Sequence, residues 1–151
     1  MHLTYRLAIQ ADLIDIVRML ADDKLGTSRE NFQVPLPDAY QQAFERIAGD
    51  PNQELTVVEQ NGEVIATFQM TFIPYLTYQG GIRAQIEAVR VRSDQRGQGL
   101  GSEIFRYAIE RAKQRGAHLL QLTTDKKRPE ALKFYESLGF VASHEGMKLI
   151  L

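Results

Sequence analysis

Between residues 95 and 101 the chain reads Gln95-Arg96-Gly97-Gln98-Gly99-Leu100-Gly101, three glycines in five positions behind an arginine. Glycines let a backbone turn tightly and come close to a ligand where a Cβ would collide. An apolar run, Ile86 to Val91, precedes the loop, and a stretch with helical spacing from Leu100 to Ala112 follows it. The first amides of a helix have no acceptor within the helix, and its dipole adds partial positive charge there. Strand, glycine loop and helix start therefore form a phosphate site, with Arg96 as a further cation. An ordinary glycine-rich turn would account for the glycines alone, but not for this setting. If backbone approach is the whole purpose, a bulky residue at Gly99 or Gly101 should block the ligand and leave the fold intact. A second candidate lies just upstream, where Glu87 is the only acid in the apolar run. Partial burial would raise its pKa toward neutrality and suit it to act as a general base. A salt bridge to Arg83 or Arg90 on a solvated face is the plainer alternative.

Three phosphate-binding patterns compete for the loop. A Walker loop requires GxxxxGK[ST], and no lysine follows these glycines. The dinucleotide fingerprint GxGxxG fails because Ser102 and Glu103 follow Gly101, which leaves the third glycine out of place. Arg96 to Gly101 does fit R-x-x-G-x-G, and so resembles the acyl-CoA loop of the GNAT superfamily of N-acetyltransferases. Downstream, Ala131-Leu132-Lys133-Phe134-Tyr135-Glu136-Ser137-Leu138-Gly139-Phe140 resembles that superfamily's second hallmark. The resemblance is closest over residues 82–141. It implies a single α/β (α+β) domain over residues 1–151, with a mixed, mostly antiparallel sheet and about four flanking helices. It also implies an acetyltransferase that passes acetyl from acetyl-CoA to a primary amine of a small molecule or peptide, directly and in a ternary complex. A non-catalytic acyl-CoA-binding or regulatory module is the alternative.

Individual roles follow from the resemblance. In that superfamily the strand before the loop and the strand after its helix splay apart, with pantetheine in the gap. The backbone of Val89, Arg90 and Val91 would bind pantetheine, and an N–H there would stabilise the oxyanion. Arg96, Gly97, Gln98, Gly99, Leu100, Gly101 and Ser102 would hold the CoA phosphates, with Phe134 beside the cofactor. Tyr135 would protonate the departing thiolate, since a phenol with a pKa of about 10 is protonated at neutral pH. As a plain core residue it would instead pack beside Ala131 and Leu138. The chain departs from the pattern at Arg128, where the superfamily often has an Asn that contacts CoA. With Lys126 and Lys127, Arg128 would approach a CoA phosphate. The acceptor pocket would come from Asp22 to Phe32 and Pro74 to Tyr78. Asp22 and Asp23 would hold an ammonium or guanidinium, and Phe32, Tyr75 and Tyr78 would wall the pocket; the plainer alternative is that most of these are ordinary loop residues.

Composition sets the outer bounds. The chain has 151 residues, 44% of them hydrophobic, enough for one sizeable core. No run approaches the roughly 20 apolar residues of a membrane span. Met1-His2-Leu3-Thr4-Tyr5-Arg6 lacks a signal peptide's apolar centre. There is no Cys, and His2, His118 and His144 are scattered, so neither a thiol nucleophile nor a metal site is expected. Residues 1–80 hold 5 Lys and Arg against 11 Asp and Glu, while residues 81–151 hold 13 against 8. The basic half suits an anionic cofactor and the acidic half a cationic acceptor. These features fit a cytoplasmic enzyme with no membrane or nucleic-acid partner, and a homodimer is compatible with them.

The elements that must position these residues can be read in order. Leu3, Tyr5, Leu7 and Ile9 alternate as a strand, and Leu13, Ile16, Val17 and Leu20 then take helical spacing. A second helix runs from Asp38 to Ala48. Leu55 to Glu59, the turn Asn61-Gly62, Val64 to Ile73, a connection at Tyr78-Gln79-Gly80-Gly81, and Ile82 to Val91 form an antiparallel meander. Leu100, Ile104, Phe105, Ala108 and Ala112 line one helical face, which Gly116 ends. Leu119 to Thr123 should lie parallel to Ile86–Val91. A helix runs from Pro129 through Leu138 with Gly139 as its cap, and Val141 and Met147 to Leu151 close the chain as strands.

Overall fold

Alternation at the N-terminus gives β1 (Thr4–Leu7), and α1 (Leu13–Ala21) follows after a 3-10 turn. The computed structural model describes residues 2–151, so the N-terminal reading that starts at Met1 falls partly outside the described residues. The chain continues through α2 (Asp38–Ala48), β2 (Gln53–Gln60), β3 (Glu63–Pro74), the single turn α3 (Thr77–Gly80), β4 (Ile82–Val91), α4 (Leu100–Gln114), β5 (Leu119–Gln121) and α5 (Pro129–Ser137). Asn61 and Gly62 both take positive φ, 53° and 81°, which matches the right-handed twist of the β2–β3 hairpin they close. The five strands lie in chain order. β1 to β4 pair antiparallel, and β5 joins β4 in parallel through the α4 crossover. The result is one α/β domain with a mixed, mostly antiparallel sheet and four main helices.

Register decides which side chains meet which helix. Thr56 stands opposite Phe68 and Glu54 opposite Met70, so these residues share a face. On that face Ala66, Phe68, Met70, Phe72, Ala84 and Ile86 pack with Leu100, Ile104, Phe105, Ala108 and Ala112 of α4 in one buried cluster. α5 adds Phe134 and Tyr135 to the same side, followed by Leu138 and Phe140. Leu13, Ile16, Val17 and Met19 of α1 are buried separately, with α1 and α2 against β2, β3 and β4.

One expectation fails. Val141 and Met147 to Leu151 do not form strands, and residues 141–151 are exposed throughout. The apolar packing ends at Phe140, whose ring meets Phe105 at 5.9 Å. The connection at Tyr78-Gln79-Gly80-Gly81 does lead from β3 into β4, and within it Tyr78 and Gln79 adopt left-handed conformations, φ 54° and 59°. Among the described residues, no helix is long and apolar enough to cross a membrane.

Candidate active site

The glycine loop leaves β4 through a short 3-10 turn, Ser93–Gln95, and enters α4 at Gly99. Gly97 and Gly99 take φ of 76° and 81°, a region that costs other residues about 1–2 kcal/mol. Ser102 and Glu103 donate back to the Gly99 carbonyl. Among the described residues, the amides of Gly97, Gln98, Gly99, Leu100 and Gly101 make no hydrogen bond. Five successive donors thus stand open at the positive end of a 15-residue helix. A diphosphate fits such a row. Gly101 has another role: a Cβ there would lie 3.3 Å from Cζ of Phe134. Its hydrogen lets α5 close on α4, so a bulky residue at Gly101 would disturb the fold as well as the ligand. Phe134 is accordingly a buttress under the loop, edge-on to Phe105 at 5.8 Å. The Leu100 side chain is buried in the core, leaving only its amide for a ligand.

Beside the loop, β4 and β5 part. Their pairing covers only Arg83–Gln85 against Leu119–Gln121, while β4 runs on to Val91. Opposite β3, the register steps from Thr67↔Arg90 to Gln69↔Glu87, so Ala88 and Val89 together face Phe68. Ala88 takes φ 53°, and the bulge re-aims the strand where the gap opens. No sequence signal marked Ala88, because glycine or asparagine is the usual cue for such a φ.

Three arginines converge on the turn after α1. Arg90 Nη2 reaches Asp23 at 3.2 Å, and Arg128 Nη2 donates to both Asp23 oxygens at 2.9 and 2.7 Å. Arg96 Nε donates to the Val91 carbonyl at 2.9 Å, and its Nη2 bonds the Asp22 carbonyl and carboxylate at 2.8 and 3.1 Å. Arg96, Arg128, Asp22 and Asp23 line a cleft of about 530 Å³ together with Lys24, Thr27, Glu130 and Ala131. Asp22 and Asp23, read as holders of a cationic acceptor, therefore hold the chain's own guanidiniums. Burial pushes the Asp23 carboxyl up, but the Arg128 hydrogen bond and the Arg90 and Arg128 charges outweigh it and hold it below its ordinary value. Among the described residues, the buried Nε of Arg90 has no hydrogen-bond partner.

Tyr135 lies on α5, packed against the same core cluster as α4. Its ring packs on Phe105 at 5.4 Å, Phe134 at 5.5 Å and Phe140 at 6.2 Å. Burial pushes its hydroxyl above the ordinary tyrosine value, and the Arg128 and Arg90 charges oppose this only in part. Glu87 corrects the expectation of partial burial: it is exposed, and it accepts a 2.8 Å hydrogen bond from Gln85 two positions back on the same face. The salt bridge to Arg83 or Arg90 is not made. Gln98 bonds the Asp94 carbonyl at 3.4 Å. Tyr75 and Tyr78 do not wall this site. They stack with His118 at the opposite end of β4, with Arg83 over the Tyr75 ring at 5.0 Å. Phe32 lies under Arg18. Among the described residues, no three metal-type side chains converge.

The chain is similar in sequence and in fold to known proteins. An aminoalkylphosphonate N-acetyltransferase of Salmonella typhimurium is 33% identical over 106 residues, 70% of this chain and 68% of that protein. An L-methionine sulfoximine/L-methionine sulfone acetyltransferase of Pseudomonas aeruginosa is 29% identical over 135 residues, 88% of this chain and 77% of that one. A solved structure described as a transcriptional regulator from Bacillus halodurans superposes with a TM-score of 0.95 at 56% identity, over 99% of this chain and 100% of that one. The model of the acetyltransferase (GNAT) family matches residues 20–140, which span the cleft, the glycine loop and the aromatic face of α5. By that match, the chain belongs to the GNAT family of acetyltransferases.

Proposed function

We propose that this N-acetyltransferase moves acetyl from acetyl-CoA to the primary amine of a small molecule that also carries an acidic group, directly and in a ternary complex. One observation carries the cofactor side: the unpaired amides of Gly97 to Gly101 at the start of α4 suit the CoA diphosphate. The gap between β4 and β5 then gives pantetheine a path along Val89, Arg90 and Val91. The acidic group on the acceptor is supported by charge. Arg90 and Arg128 share the single carboxylate of Asp23, two positive charges against one, while Asp22 and Glu130 offset Arg96 and Lys24 along the same cleft. The two relatives named above take an aminoalkylphosphonate or an amino acid, each an amine with an acidic group.

In the transfer, the amine nitrogen attacks the thioester carbonyl, the C–N bond forms and the C–S bond breaks. The amine's proton passes to Glu87 through water, since Glu87 is exposed at the mouth of the gap. The thiolate takes its proton from Tyr135, which its raised pKa keeps protonated at neutral pH. An N–H at the Ala88–Val89 bulge serves the oxyanion. A CoA-binding regulator is the second reading, favoured by the name of the Bacillus halodurans protein. Thiol release from acetyl-CoA across a panel of amines, with and without a phosphonate or carboxylate, separates the two. The proposal expects turnover with acidic amines and little with their neutral analogues. CoA binding without turnover on any amine would favour the regulator.

A further inference from the structure

Glu87 is held by a short chain of amides. Ala84 and Ile86 point from β4 into the core cluster under α4, so Gln85 and Glu87 share the opposite face of the sheet. On that face Gln85 Nε2 donates to Glu87 Oε2 at 2.8 Å, and Gln121 Nε2 donates to Gln85 Oε1 at 3.0 Å. Chemistry fixes the direction of both bonds. An ionised carboxylate only accepts, so Gln85 must turn its NH2 to Glu87 and its oxygen to Gln121, which must then donate.

The chain of amides crosses the sheet at one particular rung. Gln85 stands opposite Gln121 at the last position that β4 shares with β5. Beyond it β5 ends, while β4 runs on through the Ala88 bulge to Val91. Glu87 is the next side chain on this face past that rung. The β3 side is committed elsewhere: Gln69, opposite Glu87 in register, gives its amide to Gln53 at 2.8 Å. Thr71 gives its hydroxyl to the same Gln53 oxygen at 2.9 Å. Among the described residues, Gln85 is the one hydrogen-bond donor to Glu87, and Glu87 Oε1 accepts from none.

We propose that Gln85 and Gln121 are positioning residues for the transfer: they fix the Glu87 carboxylate where β4 and β5 part, and leave Oε1 to take the amine's proton. The inference rests on the reading of Glu87 as the base. Glu87 is exposed, and an untethered glutamate spreads over several staggered rotamers, few of which suit one proton-transfer geometry. A reacting group held in place reacts far faster than a mobile one. An amide suits the task, because a guanidinium in its place would favour the charged carboxylate and weaken it as a base. Gln121 is the last residue of β5, so that strand supports the base from the rung where the gap begins, without crossing the gap.

Methionine keeps the bulk of glutamine and removes the donor, so the test uses Gln85→Met and Gln121→Met, each alone and combined with Glu87→Gln. Thiol release from acetyl-CoA is followed with a phosphonate-bearing amine as acceptor and with water alone. Gln85→Met should lower kcat roughly tenfold and Gln121→Met roughly threefold, with the KM for acetyl-CoA unchanged. Neither should lower kcat further once Glu87→Gln is present, since a group that acts through Glu87 then has nothing left to position. A second measurement needs no acceptor: the side-chain NH2 resonance of Gln85, assigned by its loss in Gln85→Met, should move in Glu87→Ala. Equal losses with and without Glu87→Gln, or a resonance that stays in place, would make the two glutamines a staple of the sheet and overturn the proposal. Native kcat in Gln85→Met beside a slow Glu87→Gln enzyme would overturn it too, and leave Glu87 as the base. Native rates in Glu87→Gln itself would overturn the reading of Glu87, and the inference with it.

Discussion

The Tyr135 hydroxyl and ring have separate duties, and substitution can part them. The ring lies against Phe105, Phe134 and Phe140. Phenylalanine keeps those contacts and deletes only the proton donor. Tyr135→Phe should therefore retain the native melting temperature and CoA affinity, and lose roughly 10- to 1,000-fold in kcat, at or somewhat below the usual span for one acid–base group. Thioesters with better leaving groups should lose less, since their thiolates need less help. Steady-state kinetics on such a series checks both claims, and full activity in the variant would make Tyr135 a packing residue. The motif singles out Tyr135 in the sequence, but nothing there points to the partners of Asp23. Its partners Arg90 and Arg128 lie 67 and 105 positions away, and no local spacing reports a contact of that range. An acid pair in a loop looks like a site for an external cation until the fold supplies internal ones.

At the scale of elements, the glycine loop divides its work. Gly97 and Gly99 supply backbone angles, whereas Gly101 supplies room for Phe134. Gly101→Val should press α5 off α4 and cost about 1–3 kcal/mol, the usual penalty of overpacking. A thermal melt should show this as a drop of several degrees in Tm. An unchanged melt would mean that α5 yields freely at this point. The meander and α4 were legible because alternation, Asn61-Gly62 and the Leu100–Ala112 spacing are local signals. The bulge at Ala88 and the left-handed Tyr78 and Gln79 were not, since tertiary packing imposes positive φ on residues that do not prefer it. The tail was read as strand from its composition. Pairing decides whether a strand forms, and among the described residues the tail pairs with no strand.

Across the whole molecule, three carboxylates clamp the layers together. Asp12 joins the start of α1 to β1 through Arg6, Glu54 joins β2 to α4 through Arg111 and Arg115, and Asp23 joins α1 to β4 and α5. The Arg6 hydrogen bond lowers Asp12. Burial pushes Glu54 up, but its hydrogen bonds and charges with Arg111 and Arg115 hold it below its ordinary value. A carboxyl with a depressed folded-state pKa stabilises fully above its unfolded value of about 4 and loses that stability as pH falls through the folded value. Denaturant midpoints should thus be flat from about pH 5 upward with respect to these groups and fall steeply below about pH 4. A single Asp23→Asn change should flatten part of that acid limb, and an unaltered limb would remove Asp23 from the clamp. The central claim concerns the ligand these layers position. Amide spectra of the ¹⁵N-labelled protein, titrated with CoA and separately with S-acetylpantetheine, test it directly. The diphosphate of CoA should shift the amides of Gly97, Gly99 and Gly101, and the pantetheine fragment should leave them in place. CoA that bound while those three amides stayed unmoved would contradict the assignment of the loop.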